Sequence, residues 1–337
     1  MQFPSPMADY DVLCVGDLAT DVFIRLSDAH IHTWDDGRGH WMDLPFGGKV
    51  PFDYAQTVEA GGNAPNVAVG LSRLGVAAAL AAHAGDDTIG RDMVASLHRE
   101  GVDTHLVRLD AGRPSNRNFV LWYEQDRTIL VHHQTYDYHW PHLAPREVPR
   151  WIYLSSVGSG VGYCDQILTW LDGQTDVRLA FQPGTGQIAQ GCEALGGVYR
   201  QSELLVCNRE EAVEISNGDH GDMGGLVASL HHLGPRLVVV TDGPRGAYAS
   251  DGVHRYRVPS YPDPRPPKER TGAGDAFASG LVAALSKGHT LEDSLAWAPI
   301  NAMSVVQHVG SQTGLLDQAE LLHHLKCADD DYAVTGW

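Results

Sequence analysis

Five consecutive residues, Thr271-Gly272-Ala273-Gly274-Asp275, carry the sharpest chemical signal in the chain. The apolar series Phe277, Leu281, Val282 and Leu285 follows at helical spacing, so the segment opens a helix. Small residues let a backbone approach a ligand closely, and the unpaired N–H groups of a helix start point toward it. Such a terminus suits negative charge building on a transferring phosphoryl group. Asp275 lies in the first turn, where the helix dipole favours the ionised form that a proton acceptor needs. Taken in isolation, two packing glycines and a carboxylate steadying a helix start give the same pattern. A second glycine-rich helix start, Gly61-Gly62-Asn63-Ala64-Pro65-Asn66, has Pro65 in the first turn and by itself is more often a cap than a ligand site. There is no G-x-x-x-x-G-K-[ST] loop, no G-x-G-x-x-G after a strand and no G-x-S-x-G elbow, so Walker-type NTPases, dinucleotide dehydrogenases and serine hydrolases lose support.

The elements that must position these segments alternate. Strand-like runs occur at Tyr10 to Gly16, Ala77 to His83, Trp151 to Leu154, Val177 to Phe181, Leu204 to Cys207 and Leu237 to Thr241, with helical patterns between most of them. Ala64, Val67, Ala68, Leu71 and Leu74 recur at helical spacing and stop at Gly75. The alternation predicts an α/β fold with a mostly parallel central sheet flanked by helices on both faces. Two β-like runs between Asn116 and His133, separated by Gln125-Asp126-Arg127, predict a hairpin. The stretch from His30 to Phe52 has no period and is expected to be an excursion from the core. Together these give a single domain over residues 8–326, lid segments near 22–57 and 113–136, and a C-terminal tail at 327–337.

Across 337 residues, 43% are hydrophobic and 20% charged, ample for a buried core. A formal charge of -18 opposes nucleic-acid binding, which draws most of its affinity from Lys and Arg on phosphates. The five cysteines, Cys14, Cys164, Cys192, Cys207 and Cys327, are scattered without a C-x-x-C pair. With neither a signal-peptide pattern nor a long apolar run, a cytoplasmic protein without membrane contact is expected. His132, His133, His139 and His142 match no standard metal spacing and are expected at the surface.

The two glycine-rich starts, in this order and separation, resemble the two signatures of the ribokinase, or PfkB-type, carbohydrate kinases: Gly61 to Asn66 with Gly70 and Leu74-Gly75, and Thr271 to Phe277 with Gly280. The resemblance runs from about Tyr10 to Leu316 and implies a ribokinase-like sheet with a small β-lid. It implies an ATP- and Mg²⁺-dependent phosphotransferase acting on a hydroxyl of a sugar or sugar-like molecule. Asp275 would be the base and Gly272, Ala273 and Gly274 the anion hole. Asp21, Gly62, Asn63 and Asn66 would bind substrate. Apart from the resemblance, Arg117 and Asn118 at the start of the proposed lid strand could supply further substrate contacts. Asn208 and Glu211 resemble the family's N-x-x-E element, Glu211 organising Mg²⁺ through water. Thr241, Gly243, Arg245 and Gly246 would line the nucleotide site, and Gly310 would close the adenine pocket.

Two positions depart from the pattern. Glu269 and Arg270 replace the family's Asp-Thr, so a monovalent cation is not assigned, and Arg270 could reach a phosphate instead. Ala19 replaces an Asn two residues before Asp21, which weakens ribose as the substrate. A nucleoside kinase of the same fold is the alternative, with Trp34, Phe46, Trp122 or Tyr123 stacking a base; a non-catalytic sugar or nucleotide sensor is a third reading. Exposed apolar lid residues such as Phe119, Leu121 and Ile129 suggest a homodimer through the lid.

Overall fold

A computed structural model describes residues 9–34, 39–124, 126–158 and 161–337. The first half runs β1 (Val12–Val15), β2 (Ala19–Leu26), β3 (His30–Trp34), β4 (Gly39–Asp43), β5 (Phe52–Gly61), α1 (Asn63–Arg73), β6 (Ala78–Gly85), α2 (Thr88–Arg99), β7 (Val107–Asp110), β8 (Asn116–Tyr123) and β9 (Asp126–His132). The second half runs β10 (Trp151–Leu154), α3 (Val161–Leu171), β11 (Arg178–Phe181), α4 (Thr185–Ile188), α5 (Gly196–Gln201), β12 (Ser202–Asn208), α6 (Arg209–Ser216), α7 (Met223–His232), β13 (Leu237–Thr241), β14 (Ala247–Ser250), β15 (Arg255–Val258), α8 (Ala273–Ser286), α9 (Leu291–Val306), α10 (Gln318–Lys326) and β16 (Thr335–Gly336).

The main sheet has the order β16-β15-β14-β13-β12-β11-β10-β1-β6-β7. Pairing is parallel from β13 through β7 and antiparallel at the β14–β16 edge. Its central strands are apolar throughout because both faces are covered. Alternate residues divide between two cores: Val12 and Cys14 pack with residues of α1, α8 and α9, whereas Leu13 and Val15 pack with residues of α3, α6 and α7. A second sheet, β5-β2-β8-β9, forms the lid. Among the described residues no helix is long and apolar enough to cross a membrane.

Parallel strands deliver their C-terminal ends to one edge. Asp17, Ser155, Gln182, Asn208 and Thr241 all sit at or just beyond those ends, the usual place for ligands on an open α/β sheet. Helices α1 and α8 start near the same edge and pack closely. A Cβ on Gly70 would lie 2.6 Å from Ser279 Cβ, so only glycine brings the two helices this near.

Two sequence expectations change here. The stretch from His30 onward holds the β3–β4 hairpin, whose register brings His32 to Asp43 (2.5 Å) and Thr33 to His40 (2.9 Å). Cross-strand polar pairs stabilise it rather than burial, so no hydrophobic period marks it. The expected tail returns to the main sheet: β16 pairs antiparallel with β15, and Trp337 packs against Tyr248 and Arg255.

Gly70→Ala should cost about 1–3 kcal/mol by overpacking the α1–α8 contact, measured by urea unfolding. Unchanged stability would mean the two helices are free to move apart.

Candidate active site

Asp275 is the third residue of α8 and is 6% exposed. Gly272, the N-cap, has φ 82°, and a Cβ there would lie 2.5 Å from Ser311 Cβ, so both conformation and contact require glycine. The Asp275 carboxylate accepts from Asn63 Nδ2 at 2.9 Å, Asn66 Nδ2 at 2.8 Å and Gln182 Nε2 at 3.4 Å. Each asparagine is fixed at its other end. Asn66 Oδ1 accepts from Ser311 Oγ (2.9 Å) and Gln312 Nε2 (3.0 Å), and Asn63 Oδ1 accepts from Ser156 Oγ (3.1 Å). Burial pushes the Asp275 pKa up to about 6, with the two asparagine amides pulling against it. The group is therefore ionised at neutral pH yet basic enough to accept a proton.

Asp21 projects from β2 toward the same region. Its Oδ1 accepts from Asn118 Nδ2 at 2.8 Å, and burial raises its pKa to about 6. A Cβ on Gly61 would lie 2.4 Å from Asp21 Oδ2, and one on Gly62, at φ 119°, would lie 2.5 Å from Asp17 O. The paired glycines let the first helix start press against both aspartates. Asp17, which the sequence motifs did not single out, is 7% exposed, accepts the Tyr138 hydroxyl at 2.5 Å and faces His133 at 3.7 Å. Its place one residue past Gly16, at the carboxyl end of β1, is the signal that could have found it. Ser156, Gln182 and Ser311 were also missed; the first two follow strand ends, and Ser311 lies in a loop without regular period.

Arg117 is placed differently from expectation. Successive strand residues face opposite ways, and Asn118 takes the face bearing Asp21, so Arg117 lies on the other face, its guanidinium 5.2 Å from the Phe119 ring centre. Asn118, not Arg117, shares the face of Asp21.

Asn208 caps α6 and forms a reciprocal box with Glu211: Glu211 N donates to Asn208 Oδ1 at 2.8 Å and Asn208 N to Glu211 Oε2 at 2.9 Å. This uses one Glu211 oxygen and leaves the Asn208 amide NH₂ outside the box. Burial raises the Glu211 pKa, and the charge of nearby Asp275 adds to it. A site that crowds carboxylates in this way fits a divalent cation with its waters. Among the described residues no three His, Cys, Asp or Glu side chains converge as a metal cage.

A cavity of about 210 Å³ opens beside the α8 start, lined among others by Thr241, Gly243, Gly246, Arg270, Ala273, Gly274 and Phe277. Its apolar walls and helix-terminal amides fit an adenine nucleotide. Arg270 lies in its wall. Arg245 does not: its guanidinium turns outward onto Asp242, at 2.6 and 2.8 Å, and Asp242 also holds Arg209 at 2.7 Å. Gly310 is likewise outside the lining, set against Val58 and Gln56 of β5, where a Cβ would lie 2.8 Å from Val58. The aromatic residues proposed to stack a base diverge: Trp122 is buried under the lid with Phe23, Phe46 is fully exposed, and Tyr123 borders the β3–β4 hairpin. The Trp34 side chain lies outside the described residues.

A model of the pfkB family carbohydrate kinases matches residues 54–318. The chain belongs to the pfkB carbohydrate kinase family. Relatives of this pfkB kinase include a fructokinase of Klebsiella pneumoniae, 28% identical over 300 residues, covering 80% of this chain and 86% of that protein. A nucleoside kinase of Methanothermobacter thermautotrophicus is 26% identical over 321 residues, covering 93% and 94%. In fold the pfkB kinase is similar to Arabidopsis thaliana ribokinase complexed with ribose and ATP, at TM-score 0.79 and 19% identity, covering 95% and 99%.

In this pfkB kinase, Asn118→Ala should raise the acceptor KM on the order of tenfold by leaving the buried Asp21 oxygen without its donor. Arg117→Ala should leave KM unchanged, and steady-state kinetics of the two variants would contradict the face assignment if their effects were reversed.

Proposed function

We propose that this kinase transfers the γ-phosphoryl group of ATP to a hydroxyl of an uncharged sugar or sugar-like molecule. The observation that carries the reading is Asp275: a buried, ionisable carboxylate held by two fixed amides at the helix start that borders the nucleotide cavity. The acceptor hydroxyl is read by Asp21, oriented through Asn118, and its proton passes to a carboxylate oxygen of Asp275. Gly272 to Gly274 present the positive end of α8 to the charge that develops on the transferring group. The Ala273 N–H is turned back to Arg270 O at 3.3 Å, which ties the cavity wall to this helix start. Asn208 and, through water, Glu211 would hold Mg²⁺, which supplies charge neutralisation on the β- and γ-phosphates. The lid excludes water from the acceptor.

Three buried carboxylates, Asp17, Asp21 and Asp275, line the acceptor end, which favours a neutral polyol over a sugar acid. Among the described residues, Phe46, Trp122 and Tyr123 do not converge on a stacking platform for a base, which favours a sugar. The lid also leaves β9 as an edge strand with Ile129, Leu130 and Val131 exposed, and a second copy of the chain covering it as a homodimer is part of the proposal. Light scattering should give the mass of two chains; a monomer at micromolar concentration contradicts that part alone.

ADP release from ATP and Mg²⁺ across pentoses, hexoses, sugar acids and nucleosides tests the activity. Turnover of a neutral sugar is expected, with Asp275→Asn lowering kcat by about 10²-fold or more. Undiminished turnover in Asp275→Asn would overturn the assigned base, and a nucleoside or acid as the better acceptor would overturn the substrate class.

A further inference from the structure

The loop entering the α8 start is fastened by a buried acid. Glu269 is 2% exposed; its Oε1 accepts the Thr271 N–H at 2.6 Å and, more closely, the Thr271 hydroxyl. Thr271 immediately precedes Gly272, so this carboxylate sets where the helix-start amides begin. Its other oxygen, Oε2, is buried without a hydrogen-bond partner. A buried carboxylate oxygen gains most from a charged donor brought to it.

The cation facing it comes from the lid. Arg127 on β9 is the register partner of Trp122, which packs into the inward face of the lid sheet, so Arg127 also points toward the body. Its Nε lies 3.7 Å from Glu269 Oε1, beyond hydrogen-bond distance, and is itself buried without a partner. The other end of the guanidinium lies 3.9 Å from the exposed Asp126 carboxylate. One buried donor atom, Arg127 Nε, and one buried acceptor atom, Glu269 Oε2, thus stand without partners on two oppositely charged groups that meet between lid and body. The charge of Glu269 also adds, as the smallest cause, to the raised pKa of Asp21. Arg127 is not among the residues lining the nucleotide cavity.

We propose that Arg127 is a positioning residue: on lid closure its guanidinium moves onto Glu269, donates to its unpaired oxygen, and fixes Thr271 and the Gly272 and Gly274 amides for phosphoryl transfer. Arginine suits this because its planar fork can reach both carboxylate oxygens at once, whereas lysine offers a point charge. Closure over the acceptor is thereby coupled to the geometry of the anion hole. The proposal rests on the phosphotransfer reading above.

The test uses full-length Arg127→Ala, Arg127→Lys, Glu269→Gln and the double variant Arg127→Ala/Glu269→Gln. Arg127→Ala should lower kcat on the order of 10- to 100-fold, as a small misplacement of catalytic groups does, while the KM for ATP stays unchanged. Arg127→Lys should recover part of the loss, and the double variant should be no worse than the poorer single, since the residues act as one unit. Amide hydrogen exchange measured with ATP and the acceptor panel present should be quicker over Thr271 to Ala276 in Arg127→Ala than in the unmodified chain. Retained kcat, additive effects in the double variant, or unchanged exchange at those amides would overturn the proposal. If the unmodified chain turns over nothing on the acceptor panel, the phosphotransfer reading fails, and the exchange measurement still decides whether Arg127 orders this loop.

Discussion

The architecture of the active site depends on one arrangement: the Asp275 carboxylate, taken out of water, and the two asparagine amides of α1 that compensate it. Burying a carboxylate costs several kcal/mol unless donors replace its hydration. Asn63 and Asn66 are one turn apart at the start of α1 and can meet Asp275 only if the starts of α1 and α8 converge. That convergence in turn needs Gly70 against Ser279, while Gly280 against Ala298 seats α8 on α9. The small residues of both signatures are thus packing requirements of the helix pair as well as backbone openings for a ligand. The plain structural explanation and the chemical one describe the same residues.

The lid obeys a different constraint. Because side chains on a strand alternate, β2 and β8 can present only every second residue to the acceptor. Asp21 and Asn118 take that face, with Phe23, Val120 and Trp122 behind them forming a small core against Val58 and Val309. The lid core therefore reaches the loop after α9, where Gly310 allows close approach to β5. Lid and body share an apolar seam, and the Arg127–Glu269 gap lies at a polar point of contact between them.

Much of this was legible in the sequence because it rests on local pattern. Apolar runs such as Trp151–Leu154 and Leu237–Thr241 coincide with their strands, since doubly covered strands must be continuously apolar. Asp275, Asn63 and Asn66 were found through their glycine-rich contexts. What escaped depends on through-space relations. Arg117 and Asn118 are adjacent in sequence, and only the register with Asp21 says which one faces inward. Arg245 neighbours the nucleotide loop, but Asp242 claims its guanidinium. Asp17 and Gln182 are single polar residues at strand ends with no motif around them, and β16 is too short to announce itself, being held by pairing and by Trp337.

The central claim is that the α1 asparagines keep Asp275 ionised at neutral pH, and the pH dependence of kcat/KM tests it most directly. For a base with a pKa raised to about 6, activity should rise with pH through about 6 and level off above it. Because the Asn66 amide stabilises the charged form, Asn66→Ala should move that limb to higher pH while leaving a plateau at alkaline pH. A limb that stays in place in Asn66→Ala, or a profile that falls as pH rises through 6, would contradict the account.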